Sequence, residues 1–123
     1  MRRFVLIGLV LLAAGCGARS TDHWLGQLKD SDVVKRRQAI RELGSRTAEA
    51  QRVVPALAET LADADPYVRH DSATSLGKFG PDARSAAPAL TAALKDKDAS
   101  VRRAAAAALK KVVPDATGKA PGG

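Results

Sequence analysis

A single cysteine, Cys16, in 123 residues excludes an internal disulfide and any metal site built from several thiolates. Aromatic residues are almost as scarce, being Phe4, Trp24, Tyr67 and Phe79 alone. So little aromatic mass implies a thin core of Leu, Val and Ala. Without period-two runs of Val, Ile and Thr, that core belongs to stacked helices and not to a sandwich or barrel. The only histidines, His23 and His70, lie 47 positions apart with no cysteine in the mature body to join them, so no metal is expected. Ser72, Ser75 and Ser85 have no accompanying base in a recognisable arrangement. Neither a glycine-rich phosphate loop nor an isolated carboxylate pair is present. The chain therefore reads as a non-enzyme with no catalytic residues and no cofactor.

Long apolar runs are also missing. The longest, Phe4 to Ala14 behind Arg2 and Arg3, would make a helix of about 16 Å against the roughly 30 Å of a hydrocarbon core. Residues 1–15 read as a signal peptide. Leu12-Ala13-Ala14-Gly15-Cys16 resembles the lipobox of bacterial lipoproteins, in which the cysteine thiol accepts diacylglycerol. That resemblance implies a mature chain beginning at Cys16 and attached to a membrane by two or three acyl chains, enough for stable anchoring. Gly17 stands where an Asp signals inner-membrane retention in many Gram-negative bacteria, so the expected location is the cell envelope, on the periplasmic side of the outer membrane. Residues 16–21 make the lipidated cysteine and a short tether, whose reach of about 17 Å keeps the body close to the bilayer.

Net charge is +7, and loss of Arg2 and Arg3 leaves 18 basic against 13 acidic residues, or +5. A small basic excess favours anionic partners without choosing among them.

What is present in quantity is repetition. Asp63 to Gly77, DADPYVRHDSATSLG, has counterparts 33 residues earlier, DSDVVKRRQAIRELG, and 33 later, DKDASVRRAAAAALK. At this period the columns Trp24, Leu57, Leu90 and Leu28, Leu61, Leu94 define the buried face of a first helix. The columns Lys35, Val68, Val101; Ala39, Ser72, Ala105; Ile40, Ala73, Ala106; and Leu43, Leu76, Leu109 define a second. Asp32, Asp65 and Asp98 stand where the second helices begin and suit N-caps. Asp22 suits the cap of the first helix. Pro55 and Pro88 fall near the starts of their first helices, and Gly44, Gly77, Gly80 and Pro81 read as stops between units. The expected fold is all-α, a short α-solenoid of three helical hairpins in residues 22–116, with units of about 22–50, 51–83 and 84–116. Residues 117–123 lack an apolar period and read as a disordered tail.

The pattern D-x-D-x-x-V-R-x-x-A-x-x-A-L, carried by Asp63, Asp65, Val68, Arg69 and Leu76 and by Asp96, Asp98, Val101, Arg102, Ala105, Ala108 and Leu109, resembles HEAT repeats, most closely the short subclass named after phycobilisome lyases. Ankyrin and tetratricopeptide arrays have similar periods, but their signatures are absent. The resemblance implies that Asp32 with Arg36, Asp65 with Arg69, and Asp98 with Arg102 build a structural ladder tying neighbouring turns. It also implies that second helices line the concave face. Three units are about the minimum for such an array, so help from a partner or a dimer is expected.

On that face Arg37, His70 and Arg103 form a regular column, with Arg41 one turn beyond Arg37. Tyr67, His70 and Asp71 are individual to the middle unit. These six residues are the expected partner-binding set. The leading functional reading is a membrane-anchored, non-enzymatic protein-interaction module with a shallow basic concave face. A binder of anionic polymer or nucleic acid is the alternative. Export argues against nucleic acid, and the basic column lacks a stacking platform. An accessory factor of a lyase-like system is a further alternative, by family analogy.

Overall fold

The computed structural model describes residues 18–116. The expected signal peptide, the expected lipidation site Cys16 and the expected tail at 117–123 lie outside the described residues. Six α-helices follow in order: α1 Thr21–Gln27, α2 Val33–Gly44, α3 Ala50–Glu59, α4 Pro66–Lys78, α5 Ala87–Ala93 and α6 Ala99–Val112. Short 3-10 turns precede α3 and α5 and follow α3 and α6, and there is no strand among the described residues. The pairs α1–α2, α3–α4 and α5–α6 are the three hairpins of an all-α solenoid.

Each second helix starts the same way. Asp32, Asp65 and Asp98 have extended backbones, and their carboxylates accept hydrogen bonds from Val34 N, from Tyr67 N and Val68 N, and from Ser100 N and Val101 N. These bonds satisfy N–H groups that have no partner within the helix, worth about 1 kcal/mol per cap. Pro66 occupies the first position of α4, where its missing N–H costs nothing.

The second helices α2, α4 and α6 pack directly on one another, whereas α1, α3 and α5 scarcely meet. Close spacing on one side and wide spacing on the other bends the stack, with the second helices on the inner side. Trp24, Leu28, Leu57, Leu61 and Leu90 fill the seam between the two layers, together with Ile40, Leu43, Val68, Leu76 and Val101.

Several positions depart from the expected pattern. Lys35 is exposed, and Val33 supplies the contact to the core instead. Leu94 is 38% exposed although Leu28 and Leu61 are buried, because among the described residues no helix packs over it. Ser20, not Asp22, caps α1 by accepting from His23 N at 3.2 Å. Thr21, assigned to the tether, is buried and donates to Glu49 Oε2 at 2.5 Å. The folded body therefore begins before residue 22. Pro88 sits at the start of α5, but Pro55 lies inside α3, which the 3-10 turn Thr47–Glu49 initiates early.

Gly44 is the last residue of α2 and Gly77 lies in the last turn of α4, both with helical backbones and neither with a positive φ. A Cβ at Gly44 would stand 2.6 Å from Ser75 Oγ and 2.9 Å from Ser75 Cβ; one at Gly77 would stand 3.3 Å from Ala108 Cα. At Gly44 consecutive second helices approach too closely for a side chain, whereas at Gly77 a methyl would be a tight fit. Among the described residues Gly80 alone has a positive φ, 56°, and turns the chain out of α4.

Candidate partner-binding face

The ladder arginines reach across units, and their acids are not the expected ones. Arg36 donates from Nε and Nη2 to Asp63 at 3.0 and 3.1 Å, and Arg69 does the same to Asp96 at 2.8 and 3.0 Å. Each partner lies 27 residues ahead, at the first Asp of the next unit's D-x-D. Asp32, Asp65 and Asp98 are occupied as caps. The same guanidinium closes its own turn, with Arg36 Nη1 on the carbonyls of Asp30 and Ser31 and Arg69 Nη1 on those of Asp63 and Ala64. The Arg69 hydrogen bond raises that guanidinium's affinity for its proton and holds the Asp96 carboxyl below its ordinary range. Asp98 is held low by the Ser100 hydroxyl and by the capped backbone N–H groups. In the third unit Arg102, among the described residues, keeps only the bond to the Asp96 carbonyl, at 2.7 Å.

On the inner face, five of the six expected partner-binding residues meet where α2 lies against α4. Arg37 Nε donates to Asp71 Oδ2 at 2.8 Å, Arg41 Nη1 approaches the same oxygen at 3.4 Å, and His70 Nδ1 lies 3.4 Å from Oδ1. The Arg37 guanidinium carbon sits 5.2 Å from the centroid of the Tyr67 ring, a cation–π distance. Asp71 is only 12% exposed, while Arg41 is 56% exposed and Tyr67 64%. Asp71 is thus the buried anchor, and Arg41 and Tyr67 are what a partner meets. The Asp71 hydrogen bond holds Arg37 more firmly protonated. It also cancels part of the positive charge at this end, so the face is less basic here than its sequence suggests.

Arg103, the sixth residue, lies one unit along. With His70, Thr74, Ser100 and Lys111 it lines a groove of about 280 Å³ between α4 and α6. His70 borders both places and makes the face continuous.

Two features were missed by sequence reasoning. Thr60 and Ser72 share a buried contact of 2.6 Å between the layers, and each hydroxyl also approaches a carbonyl, that of Leu57 or that of Val68, at 2.7 Å. Two protons serve these three contacts. On the outer side, the gap between α1 and α3 forms a groove of about 420 Å³ lined by Leu25, Leu28, Ala56 and Glu59, with no sequence signal beyond the small Ala56. His23 rests edge-on to the buried Trp24, ring centroids 4.8 Å apart. Among the described residues no group of three His, Cys, Asp or Glu is placed to hold a metal ion, and no helix is long and apolar enough to cross a membrane.

A family model described as HEAT repeats matches residues 21–112. No curated protein matches the chain. Among solved structures, a chain from the complex of CpcE and CpcF of phycocyanin lyase from Nostoc sp. PCC7120 is similar, with 25% identity and a TM-score of 0.71. The match covers 86% of this chain and 49% of that one, so the present chain spans about half of that chain's length.

Proposed function

Because the chain belongs to the HEAT-repeat family, we propose that it is a non-enzymatic protein-interaction module whose inner face, α2, α4 and α6, docks a protein partner bearing acidic groups. Stacked repeats suit this role because neighbouring units generate an extended surface without a deep pocket. The observation that carries the reading is the cluster at Asp71. A nearly buried carboxylate holds Arg37 against Tyr67, so an aromatic ring and a guanidinium are presented in a fixed arrangement. Pre-ordering of that kind lowers the entropy lost on docking, and Tyr and Arg are residue types enriched among binding hot spots. Attachment to the envelope through acylated Cys16 would hold this face close to a bilayer.

The test is crosslinking from intact envelopes, comparing the parent chain with Tyr67→Ala and with the pair Arg37→Glu and Arg103→Glu. Both variants lose most of the crosslinked partner, and equal yields would remove the reading. Binding that collapses steeply with salt and needs no protein would transfer the face to an anionic polymer. Cys16→Ser releases the chain from membranes; continued membrane association would sink the anchor.

The second reading, an accessory factor of a lyase-like system, is favoured by the similarity to the CpcE–CpcF complex. Its experiment is co-purification with a chromophore-bearing protein, and failure to retain one counts against it.

A further inference from the structure

The ladder is complete between units and open at both ends. Arg102, the counterpart of Arg36 and Arg69, has no carboxylate partner among the described residues and keeps only its carbonyl contact. At the opposite end Asp30, the counterpart of Asp63 and Asp96, accepts from Asp32 N and receives no guanidinium through its carboxylate. Among the described residues the array therefore ends in a cation waiting for an Asp and begins with an Asp waiting for a cation.

A second pair of positions obeys the same register. Where second helices touch, Gly44 faces Ser75 and Gly77 faces Ala108, each partner 31 residues ahead. The next member of the first series is Lys110. The member of the second that precedes Ser75 is Glu42. Both are exposed, and opposite charges occupy the two ends of a column that is small and neutral inside the array.

The α5–α6 end is also apolar in the columns that a following unit would cover. Leu43 and Leu76 are fully buried, as are Ile40 and Ala73, whereas Leu109 and Ala106 are only half-buried and Leu94 is exposed.

We propose that the chain associates head to tail, the α5–α6 end of one copy seating on the α1–α2 end of the next. Arg102 then pairs with Asp30 as Arg69 pairs with Asp96, and Lys110 faces Glu42 across the second-helix seam. Three periods of 33 residues carry Asp30 of the next copy to the place one period beyond Asp96, so a second copy continues the register. Lysine in place of glycine holds this joint wider than the internal ones, making it reversible and salt-sensitive. The two contacting surfaces differ, so the contact is heterologous and does not close as a two-fold dimer. The proposal is independent of what the inner face binds.

The test is sedimentation velocity of the full chain in a mild detergent. The parent shows association that rises with concentration and weakens with added NaCl. Arg102→Asp and Asp30→Arg each weaken it about tenfold or more, since like charges then meet, and an equimolar mixture of the two restores it because each variant's end complements the other's. Asp30 also orders the turn before α2, so Lys110→Glu and Glu42→Lys, at exposed positions, repeat the experiment without that burden. A parent chain that stays monomeric at every concentration overturns the proposal. So do single variants that associate like the parent, or mixtures that fail to recover while both variants melt normally.

Discussion

Arg69 and Asp96 are joined by two parallel N–H···O bonds across the boundary between the second and third units. Their side chains are 7% and 11% exposed. Asp96→Ala leaves the guanidinium buried without its counter-charge, a loss of about 3 kcal/mol. Asp65→Ala removes only a cap, costing about 1 kcal/mol. Denaturant titration of the two variants side by side checks the order, and equal losses would mean that the cap aspartates carry the inter-unit tie.

The same pair sets an acid limit. The Asp96 carboxyl is depressed first by the Arg69 hydrogen bond, and Asp98 by the Ser100 hydroxyl. A carboxyl bound more weakly to its proton in the folded state adds stability above its unfolded pKa, near 4. That stability drains away as pH falls toward and through the lower folded value. The melting temperature should be flat from pH 8 to about 6 and decline below about 5, with a shallower decline in Asp96→Asn.

Gly44→Ala forces a methyl to 2.6 Å from Ser75 Oγ and 2.9 Å from its Cβ. Alanine gains about 1 kcal/mol of helix propensity, but separating two packed helices costs more, leaving a net loss of about 1–2 kcal/mol. Gly77→Ala meets Ala108 at 3.3–3.4 Å and should be near neutral. Ser75→Gly rescues Gly44→Ala, and Ser75→Ala does not, because the Cβ contact remains. Thermal melts of the four variants decide.

Ser72→Ala deletes one hydroxyl from the shared contact with Thr60, which keeps its 2.7 Å bond to the Leu57 carbonyl. With no polar atom stranded, the change should alter stability by less than about 1 kcal/mol. Thr60→Val similarly leaves Ser72 its bond to the Val68 carbonyl. A large loss in both variants would show the hydroxyl pair acting as a unit, which a double-mutant cycle measures.

The repeat fold and the caps were legible in the sequence because they are local: a 33-residue period, a cap two or three residues ahead of its N–H groups, and apolar columns four apart can all be read along one line. The ladder acids were not. Asp65 and Arg69 stand one turn apart on paper and invite pairing, but Asp65 is consumed by its cap, and the arginine swings to a carboxylate on the next unit. The recurrence of Asp30, Asp63 and Asp96 was visible, yet nothing in one dimension says which of two aspartates faces a neighbour. The packing role of Gly44 and Gly77 was hidden for the same reason, since close approach is a property of the helix opposite. The candidate face fared better. Arg37, Arg41, Tyr67, His70 and Asp71 lie within one turn of each other on adjacent second helices, so the period alone brought them together. That Asp71 would neutralise part of the basic column required the side-chain geometry.

The unequal spacing of the two helix layers has a mechanical consequence. With α2, α4 and α6 in contact and α1, α3 and α5 held apart, bending is stiff on one side and compliant on the other. Straightening the array would narrow the outer grooves, while tighter curling would press the Gly44 and Gly77 backbones further onto Ser75 and Ala108, where there is no room to spare. The array is expected to behave as a leaf spring with a one-sided stop. It can open toward a partner laid along its inner face, and it resists closing further.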